Sequence, residues 1–205
     1  MNDKGFVYIV DDDAAVRESL ALLLEQEGVG VETFASAEDF LAFDPASTHG
    51  CLIVDMRMPG MDGLQLQVEL SRCGVRLPVI FLTGHGDIPQ SVRAIKNGAI
   101  DFLTKPVTGT ALLASVQAAL SASAGLHAQA EANKTIMARL ASLTGREREV
   151  MALAVDGLHN KEIAQRLGIS HRTVEIHKAR MMHKTGAETL LDLARLAEAV
   201  GFHTD

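Results

Sequence analysis

Residues 7–12 read Val7-Tyr8-Ile9-Val10-Asp11-Asp12, so a run of four apolar residues ends abruptly in two carboxylates. Later runs of the same kind also end in polar residues. They are Cys51-Leu52-Ile53-Val54 before Asp55, Val79-Ile80-Phe81-Leu82 before Thr83, and Asp101-Phe102-Leu103-Thr104 before Lys105-Pro106. Short apolar runs that alternate with helical segments are typical of the buried strands of a parallel sheet.

The polar residues at the ends of these four runs are chemically complementary. An open parallel sheet binds its ligand beyond the carboxyl ends of the strands, so these side chains are expected to converge on one site. Carboxylates suit a hard cation such as Mg²⁺ (or Mn²⁺), whereas a hydroxyl and an ammonium group suit phosphate oxygens. The pattern therefore predicts a site at which an aspartate accepts a phosphoryl group.

Composition and charge limit the classes of function. The chain has 205 residues, enough for one large domain or two small ones, and its 47% hydrophobic and 22% charged residues are typical of a soluble protein. With no Trp and one Tyr, it has little capacity to stack on single-stranded nucleic acid. Residues 158–184 hold 6 basic and 2 acidic residues, a basic stretch that indicates either phosphate contact or a solvated helix face.

Several features favour a reduced, cytoplasmic protein. The 2 cysteines, Cys51 and Cys73, lack the spacing of metal ligands. The start of the chain, residues 1–5, lacks the apolar stretch of a signal peptide. No window is judged to approach 18 apolar residues without a charge, so no membrane-spanning segment is expected.

The first 124 residues follow a repeating strand–helix order. After Asp13, the apolar residues Val16, Leu20, Leu23 and Leu24 form one face of a helix. Residues 30–34 have the pattern of a second strand. Five such units with short connections predict a doubly wound, flavodoxin-like α/β domain with strand order 2-1-3-4-5. Strand 2 would then lie at an edge, which agrees with its lack of a polar site residue.

The remainder of the chain is predicted to be helical. Residues 125–138 are Ala-rich and suit a helical linker, with a possible break at Gly125; a flexible tether is the alternative. From residue 139 onward, short helices follow one another. Thr144 and Glu147 have capping-box spacing, and residues 160–167 form a short helix that stops at Gly168 before a further helix over 172–184. Two short helices around a tight glycine turn indicate a helix-turn-helix.

The acidic site has a direct chemical interpretation. Asp11 and Asp12 should repel one another unless a cation neutralises them, and together with Asp55 they suit the octahedral shell of Mg²⁺. Lys105 can pair with Asp55 and then with an acyl phosphate, while Thr83 can donate its hydroxyl to a phosphoryl oxygen. Each residue also has an ordinary structural explanation, such as a strand-end turn for Thr83, but the joint placement at four strand ends favours the site.

Four segments of this half resemble the receiver domain of two-component systems. They are Val10-Asp11-Asp12-Asp13, Asp55-Met56-Arg57-Met58-Pro59-Gly60-Met61-Asp62-Gly63, Thr83-Gly84-His85-Gly86 and Lys105-Pro106. The resemblance covers residues 5–124. It implies phosphorylation of Asp55 by a sensor histidine kinase, and it implies Mg²⁺ held by Asp11, Asp12, Asp55 and the backbone carbonyl of Arg57.

The same resemblance assigns further roles. Thr83 would be the switch hydroxyl, Phe102 the paired switch aromatic in a place where Tyr is common, and Lys105-Pro106 a cis peptide. His85 and Arg57 would flank the phosphate and tune the rate of dephosphorylation, although an exposed loop histidine is an equal alternative for His85.

The helical half resembles the LuxR-type helix-turn-helix over about residues 139–203. The segments that carry the resemblance are 143–150, 157–164, 167–170 and 172–178. Together with the receiver, they make the chain similar to the NarL/FixJ family of response regulators, with residues 55–59 and 83–89 favouring the FixJ branch. The expected organisation is a receiver over 1–124, a helical linker over 125–138 and a DNA-binding domain over 139–205.

The recognition helix is expected at about residues 172–184. Glu175, Ile176, Ala179 and Arg180 share one face, on which Arg180 can read guanine, Glu175 cytosine and Ile176 a thymine methyl. Core packing is the alternative for Ile176, whereas Val174 and Met181 are expected in the core. The remaining candidates for DNA contact, mostly at phosphates, are Lys161, Arg172, Thr173, His177, Lys178 and Lys184.

The expected function is transcription regulation, switched by phosphorylation and exerted by a homodimer on double-stranded DNA. The family resemblance implies activation through RNA polymerase, with repression as the alternative. Candidate dimer surfaces are residues 88–105 and the last helix with Leu190, Leu193 and Ala197, although both apolar stripes suit an intramolecular core equally well. One rival is a constitutive DNA-binding protein with a vestigial receiver. A second rival, an aspartyl-phosphate phosphatase, is disfavoured because Arg57 stands where that class has a general-acid Asp.

Overall fold

The computed structural model describes residues 5–43, 50–84 and 94–202. The chain divides into two compact units, Met1–His127 and Ala128–Asp205. The first unit is built on a five-stranded parallel sheet and the second is helical.

The strands of the first unit are β1 (Phe6–Val10), β2 (Gly30–Phe34), β3 (Gly50–Asp55), β4 (Val79–Thr83) and β5 (Asp101–Thr104). They lie in the order β2-β1-β3-β4-β5, and every neighbouring pair is parallel. This order confirms the prediction of a doubly wound sheet with strand 2 at an edge.

The helices of this unit are α1 (Ala14–Gln26), α2 (Ala37–Ala42), α3 (Gly63–Arg72) and the first part of α4 (Gly109–Ala141), which continues into the second unit. Residues 94–96 are also helical, and the rest of the helix predicted over residues 88–97 lies outside the described residues. The side chains of Asp13, Ser36 and Asp62 each accept hydrogen bonds from backbone N–H groups in the first turn of a helix, so local sequence sets where α1, α2 and α3 begin.

The central strands β1, β3 and β4 are buried on both faces, which is why they are almost wholly apolar, whereas the edge strands β2 and β5 are partly exposed and contain polar residues. Alternate residues along β1 and β3 point to opposite sides. Tyr8, Leu52 and Val54 belong to a core that includes residues of α2 and α3. Ile9 and Ile53 belong to a second core, against residues of α1 and α4. Cys51 lies in this second core, where burial raises the pKa of its thiol to about 12, as expected for a cysteine that packs as a small hydrophobe.

Helix α4 continues through Gly125 without a break and includes the whole of the predicted linker, residues 125–138. It is also long and apolar enough to cross a membrane, by length and composition alone, because no charged residue lies between positions 106 and 130. The prediction that no segment could span a membrane is therefore not confirmed: it overlooked residues 106–130, in which uncharged polar residues interrupt the apolar ones. Leu112, Val116 and Ala119 of this helix are buried in the core beside the sheet, which accounts for part of its apolar character.

The second unit contains α5 (Gly145–Val155), α6 (Asn160–Leu167), α7 (His171–Thr185) and α8 (Leu190–Ala199). Helices α6 and α7 are joined at Gly168, whose φ of 65° lies in the left-handed region that favours glycine. Val174 and Met181 of α7 are fully buried in the core of this unit, as predicted from the sequence. The helix-turn-helix pattern is therefore present.

Gly63 fixes the distance between α3 and β3. A Cβ atom at this position would lie 2.4 Å from the backbone oxygen of Asp55 and 3.1 Å from the ring of Phe81. The 2.4 Å distance is closer than packed atoms tolerate, and it is to a backbone atom that cannot rotate away; the 3.1 Å distance is tight. Glycine at residue 63 therefore allows the helix to approach the strand that carries Asp55.

The variant Gly63→Ala is expected to destabilise the first unit by roughly 1–3 kcal/mol, because the added methyl group overpacks this contact. Gly125→Ala is the matched control. No heavy atom lies within 4 Å of a Cβ at Gly125, so alanine there should stabilise the helix by about 0.5–1 kcal/mol. Differential scanning calorimetry of the full chain measures both. Equal stability of Gly63→Ala and the wild type would contradict the proposed close approach.

Candidate functional site

The carboxyl ends of β1, β3, β4 and β5 bring the predicted site residues together. Backbone hydrogen bonds extend the strand pairing to their edge: the N–H of Met56 donates to the carbonyl of Leu82 at 2.8 Å, and the N–H of Lys105 donates to the carbonyl of Thr83 at 2.6 Å. These bonds position Asp55, Thr83 and Lys105 on neighbouring strands. In the sheet, β2 lies on one side of β1 and β3 lies on the other, so the direction in which successive strands are added reverses next to β1. Sheets of this architecture usually bind their ligands at that point.

Three carboxylates cluster at this edge. One oxygen from each of Asp11, Asp12 and Asp55 lies within 4.8 Å of the others. Asp11 is 1% exposed and Asp55 is 9% exposed, whereas Asp12 is open to solvent. Carboxylate oxygens are the donors that Mg²⁺ or Mn²⁺ prefers, and the open Asp12 side leaves room for water ligands.

Lys105 supplies a positive charge inside the cluster. Its Nζ lies 2.6 Å from Oδ2 of Asp11 and 3.4 Å from Oδ1 of Asp55. Burial opposes the charged ammonium, but the hydrogen bond and charge of Asp11, joined by Asp55, outweigh it and raise the pKa of Lys105. The ammonium is therefore held charged between two carboxylates.

The contributions to the pKa of Asp55 differ from those that act on Lys105. Burial raises the pKa of its carboxyl group, Lys105 lowers it, and the nearby charge of Asp11 raises it further, so the net direction is upward. The ionised form of a buried carboxylate beside another negative charge is stabilised when a cation binds next to it. The site therefore attracts cations.

The neighbouring residues hold Asp11 in place, and one of them was missed in the sequence. The N–H of Asp13 donates to Oδ1 of Asp11 at 3.0 Å, and the Asp13 side chain caps α1. The guanidinium of Arg17 donates to the backbone oxygen of Asp11 at 2.7 Å. The sequence could have indicated this role, because Arg17 lies about one turn into the helix that follows the acidic loop.

The loop after β3 is held by a second residue that the sequence did not single out. Glu38 of α2 accepts a hydrogen bond from the N–H of Met61 at 3.1 Å. Arg57, whose backbone carbonyl is a predicted metal ligand, lies in this loop with its side chain exposed. No local sequence pattern could have predicted the contact between Glu38 and Met61, because these residues are 23 positions apart.

The remaining predicted receiver residues are placed as follows. Thr83 is buried at the end of β4. Phe102 is half-buried and packs against the core that contains Tyr8 and Phe81. The Lys105-Pro106 peptide bond is cis, which confirms what the resemblance implied. His85 and residues 88–93 of the predicted dimer surface over 88–105 lie outside the described residues, whereas residues 94–105 are described.

In the second unit, one side of α7 is buried and the other is open. The predicted reading residues Glu175, Ile176, Ala179 and Arg180 are all exposed. Ile176 is 42% exposed, so core packing, the alternative interpretation of this residue, is excluded in the described structure. An exposed helix face with both polar and apolar side chains is what contact with base edges in a major groove requires.

Some of the predicted phosphate contacts already have partners inside the unit. Lys161 and Arg172 are exposed. Nζ of Lys178 donates to Oδ1 of Asn160 at 2.9 Å. Thr173 takes part in the cap of α7, with its hydroxyl 2.7 Å from Oγ of Ser170. His177 is half-buried and its Nδ1 is buried without a hydrogen-bond partner among the described residues.

Lys184 is held by an acidic residue that was predicted only as a helix cap. Its Nζ donates to Oε2 of Glu147 at 2.7 Å and to the carbonyl of Ser142 at 3.3 Å. The same carboxylate oxygen accepts from the N–H of Thr144, and Glu147 is 2% exposed. Lys184 was predicted as a phosphate contact, and this pairing means that its ammonium also ties α7 to the start of α5.

Two family models match the chain. The response regulator receiver domain matches residues 7–117, and the luxR family of bacterial regulatory proteins matches residues 141–197. The chain belongs to the response regulators with a LuxR-type DNA-binding domain. It is 47% identical over 195 residues to the transcriptional regulatory protein FixJ of Azorhizobium caulinodans, which covers 95% of this chain and 92% of that protein. These matches confirm the resemblance to the FixJ branch.

Solved structures of response regulators agree with this assignment. The response regulator StyR has a TM-score of 0.81 and 43% identity, covering 97% of this chain and 98% of StyR. Full-length FixJ from B. japonicum has a TM-score of 0.59 and 42% identity, covering 98% of both chains. The protein is thus a two-component response regulator in which a receiver controls a DNA-binding domain, and such a protein has a phosphoryl donor and DNA as partners.

The last helix of this response regulator corrects one expectation. Leu193 is fully buried and Ala197 is 9% exposed, and both belong to the core of the second unit, so neither is available as a dimer contact. Leu191, which was not predicted to take part, is 61% exposed. The intramolecular interpretation is correct for the buried pair because the helix needs its own apolar stripe to close a small helical core.

The buried Glu147 is expected to contribute to stability in a pH-dependent way. Burial opposes its charged form, but the hydrogen bonds from Lys184 and Thr144 outweigh it and lower the pKa of Glu147. A carboxyl group whose pKa is lowered on folding stabilises the native state above its unfolded pKa of about 4.3, and loses that contribution as the pH falls through the native pKa.

Glu147→Gln is therefore expected to destabilise the second unit by roughly 1–3 kcal/mol near neutral pH. The difference from the wild type should shrink below about pH 4. Glu149→Gln removes an exposed pair with Arg146 on the same helix and should cost less than about 0.5 kcal/mol. Hydrogen exchange of peptides covering residues 145–185 measures both variants, and equal protection in the two would contradict the role of Glu147.

Proposed function

We propose that this response regulator is a phosphorylation-activated transcription factor in which Asp55 accepts a phosphoryl group from a sensor histidine kinase. The observation that carries the proposal is the buried Asp55 carboxylate at the meeting point of Asp11, Asp12 and Lys105. The proposed organisation is a receiver over residues 1–124, a helical linker over 125–138 and a DNA-binding domain over 139–205, in a cytoplasmic protein.

The carboxylates of Asp11, Asp12 and Asp55 would hold a divalent cation, Mg²⁺ or Mn²⁺, with the backbone carbonyl of Arg57 as a further ligand. The residues fit such an ion because their oxygens cluster within 4.8 Å and all are hard donors. When bound, the ion offsets the negative charge of Asp55 and of the incoming phosphoryl oxygens.

In the transfer step, an oxygen of Asp55 attacks the phosphorus of a phosphohistidine, the P–N bond breaks, and the imidazole leaves with the electron pair. Lys105 already lies 3.4 Å from Asp55, so its ammonium can turn from the carboxylates to a phosphoryl oxygen. Thr83 is placed one strand away and donates its hydroxyl to another phosphoryl oxygen. Slow hydrolysis of the acyl phosphate returns Asp55 to its free state, and Arg57 and His85 tune that rate.

The output step follows from the movement of Thr83 towards the phosphoryl group. That movement opens space at the end of β4, into which Phe102 of the neighbouring strand can turn. The resulting change of the receiver surface favours a homodimer, in which two copies of α7 read two halves of a DNA site. Contact with RNA polymerase then activates transcription, and repression is the other output that the same binding supports.

Base reading is assigned to the exposed face of α7. Arg180, Glu175 and Ile176 would contact base edges, with Ala179 close to the groove floor. Lys161, Arg172, Thr173, Lys178 and Lys184 would contact the DNA backbone, the last of these by leaving Glu147.

The wild-type protein incubated with Mg²⁺ and acetyl phosphate is expected to gain the mass of one phosphoryl group and to bind its operator about tenfold more tightly, in line with usual coupling energies. Asp55→Asn should gain no mass and should keep the lower affinity. Asp62→Asn is the matched control, since asparagine also caps α3. Intact-mass spectrometry and fluorescence anisotropy on an operator obtained by binding-site selection give the two readings.

The competing function is constitutive DNA binding by a chain with a vestigial receiver. Tight operator binding by Asp55→Asn, equal to that of the treated wild type, would establish that alternative.

The variant Asp11→Asn is expected to weaken Mg²⁺ binding at least tenfold, because it removes one of three charges that face the ion. Asp13→Asn changes the adjacent carboxylate outside the cluster and keeps the cap of α1, so its affinity should stay within about twofold of the wild type. Isothermal titration calorimetry with Mg²⁺ and Mn²⁺ measures both. Unchanged affinity in Asp11→Asn would remove this aspartate from the metal site.

A further inference from the structure

A cleft of about 460 Å³ lies within the second unit, where the loop before α6 meets α7 and the start of α8. Its polar lining comes from residues at the start of α6 and from α7. These residues are His159, Asn160, Lys161, His171 and Lys178. Leu158 and Leu190 contribute apolar walls.

The ionisable side chains that line the cleft are all basic. Among the described residues that line the cleft there are two lysines and two histidines, and no carboxylate. Lysine is a cationic residue, and histidine is the residue type whose charge changes between about pH 5 and pH 8. The cleft therefore suits an anion, and its attraction for that anion increases with acidity.

Lys178 is positioned before any ligand arrives. Its Nζ is hydrogen-bonded at 2.9 Å to Asn160, which is itself part of the lining. Holding the long side chain in this way reduces the conformational entropy that is lost on binding. Lys161 lies in the first turn of α6, where the helix also directs free N–H groups outward.

The cleft borders the face of α7 that is proposed to read DNA. His171 and Lys178 are seven residues apart, close to two helical turns, so they lie on the same side of α7. That side is between the buried stripe with Val174 and the exposed stripe with Glu175 and Ala179. A backbone phosphate beside the groove is the anion that a helix in this position meets first.

We propose that this cleft binds a phosphodiester of the DNA backbone, and that His159 and His171 make the affinity for DNA increase as the pH falls. The proposal rests on the DNA-binding function proposed above. It adds two histidines to the DNA-contacting set and gives the second unit a pH response that is independent of Asp55.

The carboxylates that face the two histidines oppose this effect only in part. Oε2 of Glu162 accepts the backbone N–H of His159 at 2.8 Å and is thereby engaged in the cap of α6. Oε1 of Glu175 lies 3.5 Å from Nδ1 of His171, with both side chains more than half exposed. Asp156 precedes the cleft at the end of α5. Lys161 and Lys178 act in the opposite sense, so a phosphate that enters would have cations on several sides.

The test measures binding of the full-length protein to a fluorescein-labelled DNA duplex of about three helical turns, by anisotropy at low salt, between about pH 6 and about pH 8. Acetyl phosphate and Mg²⁺ are present throughout, and intact mass at each pH verifies equal phosphorylation. Wild-type affinity should be about fivefold to tenfold higher at the acidic end, the change expected for one additional phosphate contact.

The double variant His159→Asn/His171→Asn should bind equally at both ends of this range, at the level of the wild type near pH 8. His183→Asn is the matched control, because His183 lies on the same helix outside the cleft and should keep the wild-type pH dependence. Lys178→Gln should weaken binding at every pH and keep the slope. Circular dichroism melting verifies that each variant is folded.

The outcomes separate this proposal from the function on which it rests. If the wild type binds duplex DNA and the double variant keeps the full pH dependence, the cleft proposal is overturned and DNA binding stands. If the wild type binds no duplex at any pH, even at low salt, both fail.

Discussion

The ion pair between Lys105 and the carboxylates of Asp11 and Asp55 is the interaction on which the acidic end of the sheet depends. Three carboxylates within 4.8 Å repel one another, and a lysine ammonium at 2.6 Å and 3.4 Å from two of them offsets much of that repulsion. The sheet supplies the geometry, since Asp11 and Asp12 follow β1, Asp55 ends β3 and Lys105 follows β5. The same lysine is thus a structural counter-ion in the free protein and a ligand for phosphoryl oxygens in the proposed phosphorylated one.

The second unit uses a comparable pair for a different purpose. Glu147 and Lys184 join the start of α5 to the end of α7, so the helix proposed to read DNA is anchored by a charge as well as by Val174 and Met181. A lysine that is counted as a phosphate contact from sequence therefore also has a partner within its own fold. DNA binding by Lys184 would compete with that partner, whereas Arg172 and Arg180 project from the open side of α7.

Much of the fold was predictable because its signals are local. Apolar runs, helix caps at Asp13, Ser36 and Thr144, and the glycine at residue 168 act through the backbone nearest to them. The candidate metal and acceptor residues were predictable for a related reason, since the parallel topology forces residues after the strands to one edge. The contacts that sequence did not reveal were long-range: Glu38 with the loop at Met61, Glu147 with Lys184, and the grouping of His159 and His171 around one cleft.

The order of residues by itself determined the strand–helix alternation, the identity of the acidic and basic site residues and the family, because each of these depends on local chemistry and on position along the chain. The tertiary structure decided which charges are paired and which apolar residues are exposed. Ile176 and Leu191 are open while Leu193 and Ala197 are buried, although all are apolar residues on helices. The physical reason is that burial and ion pairing depend on what packs opposite a residue, and that neighbour is many positions away in the sequence.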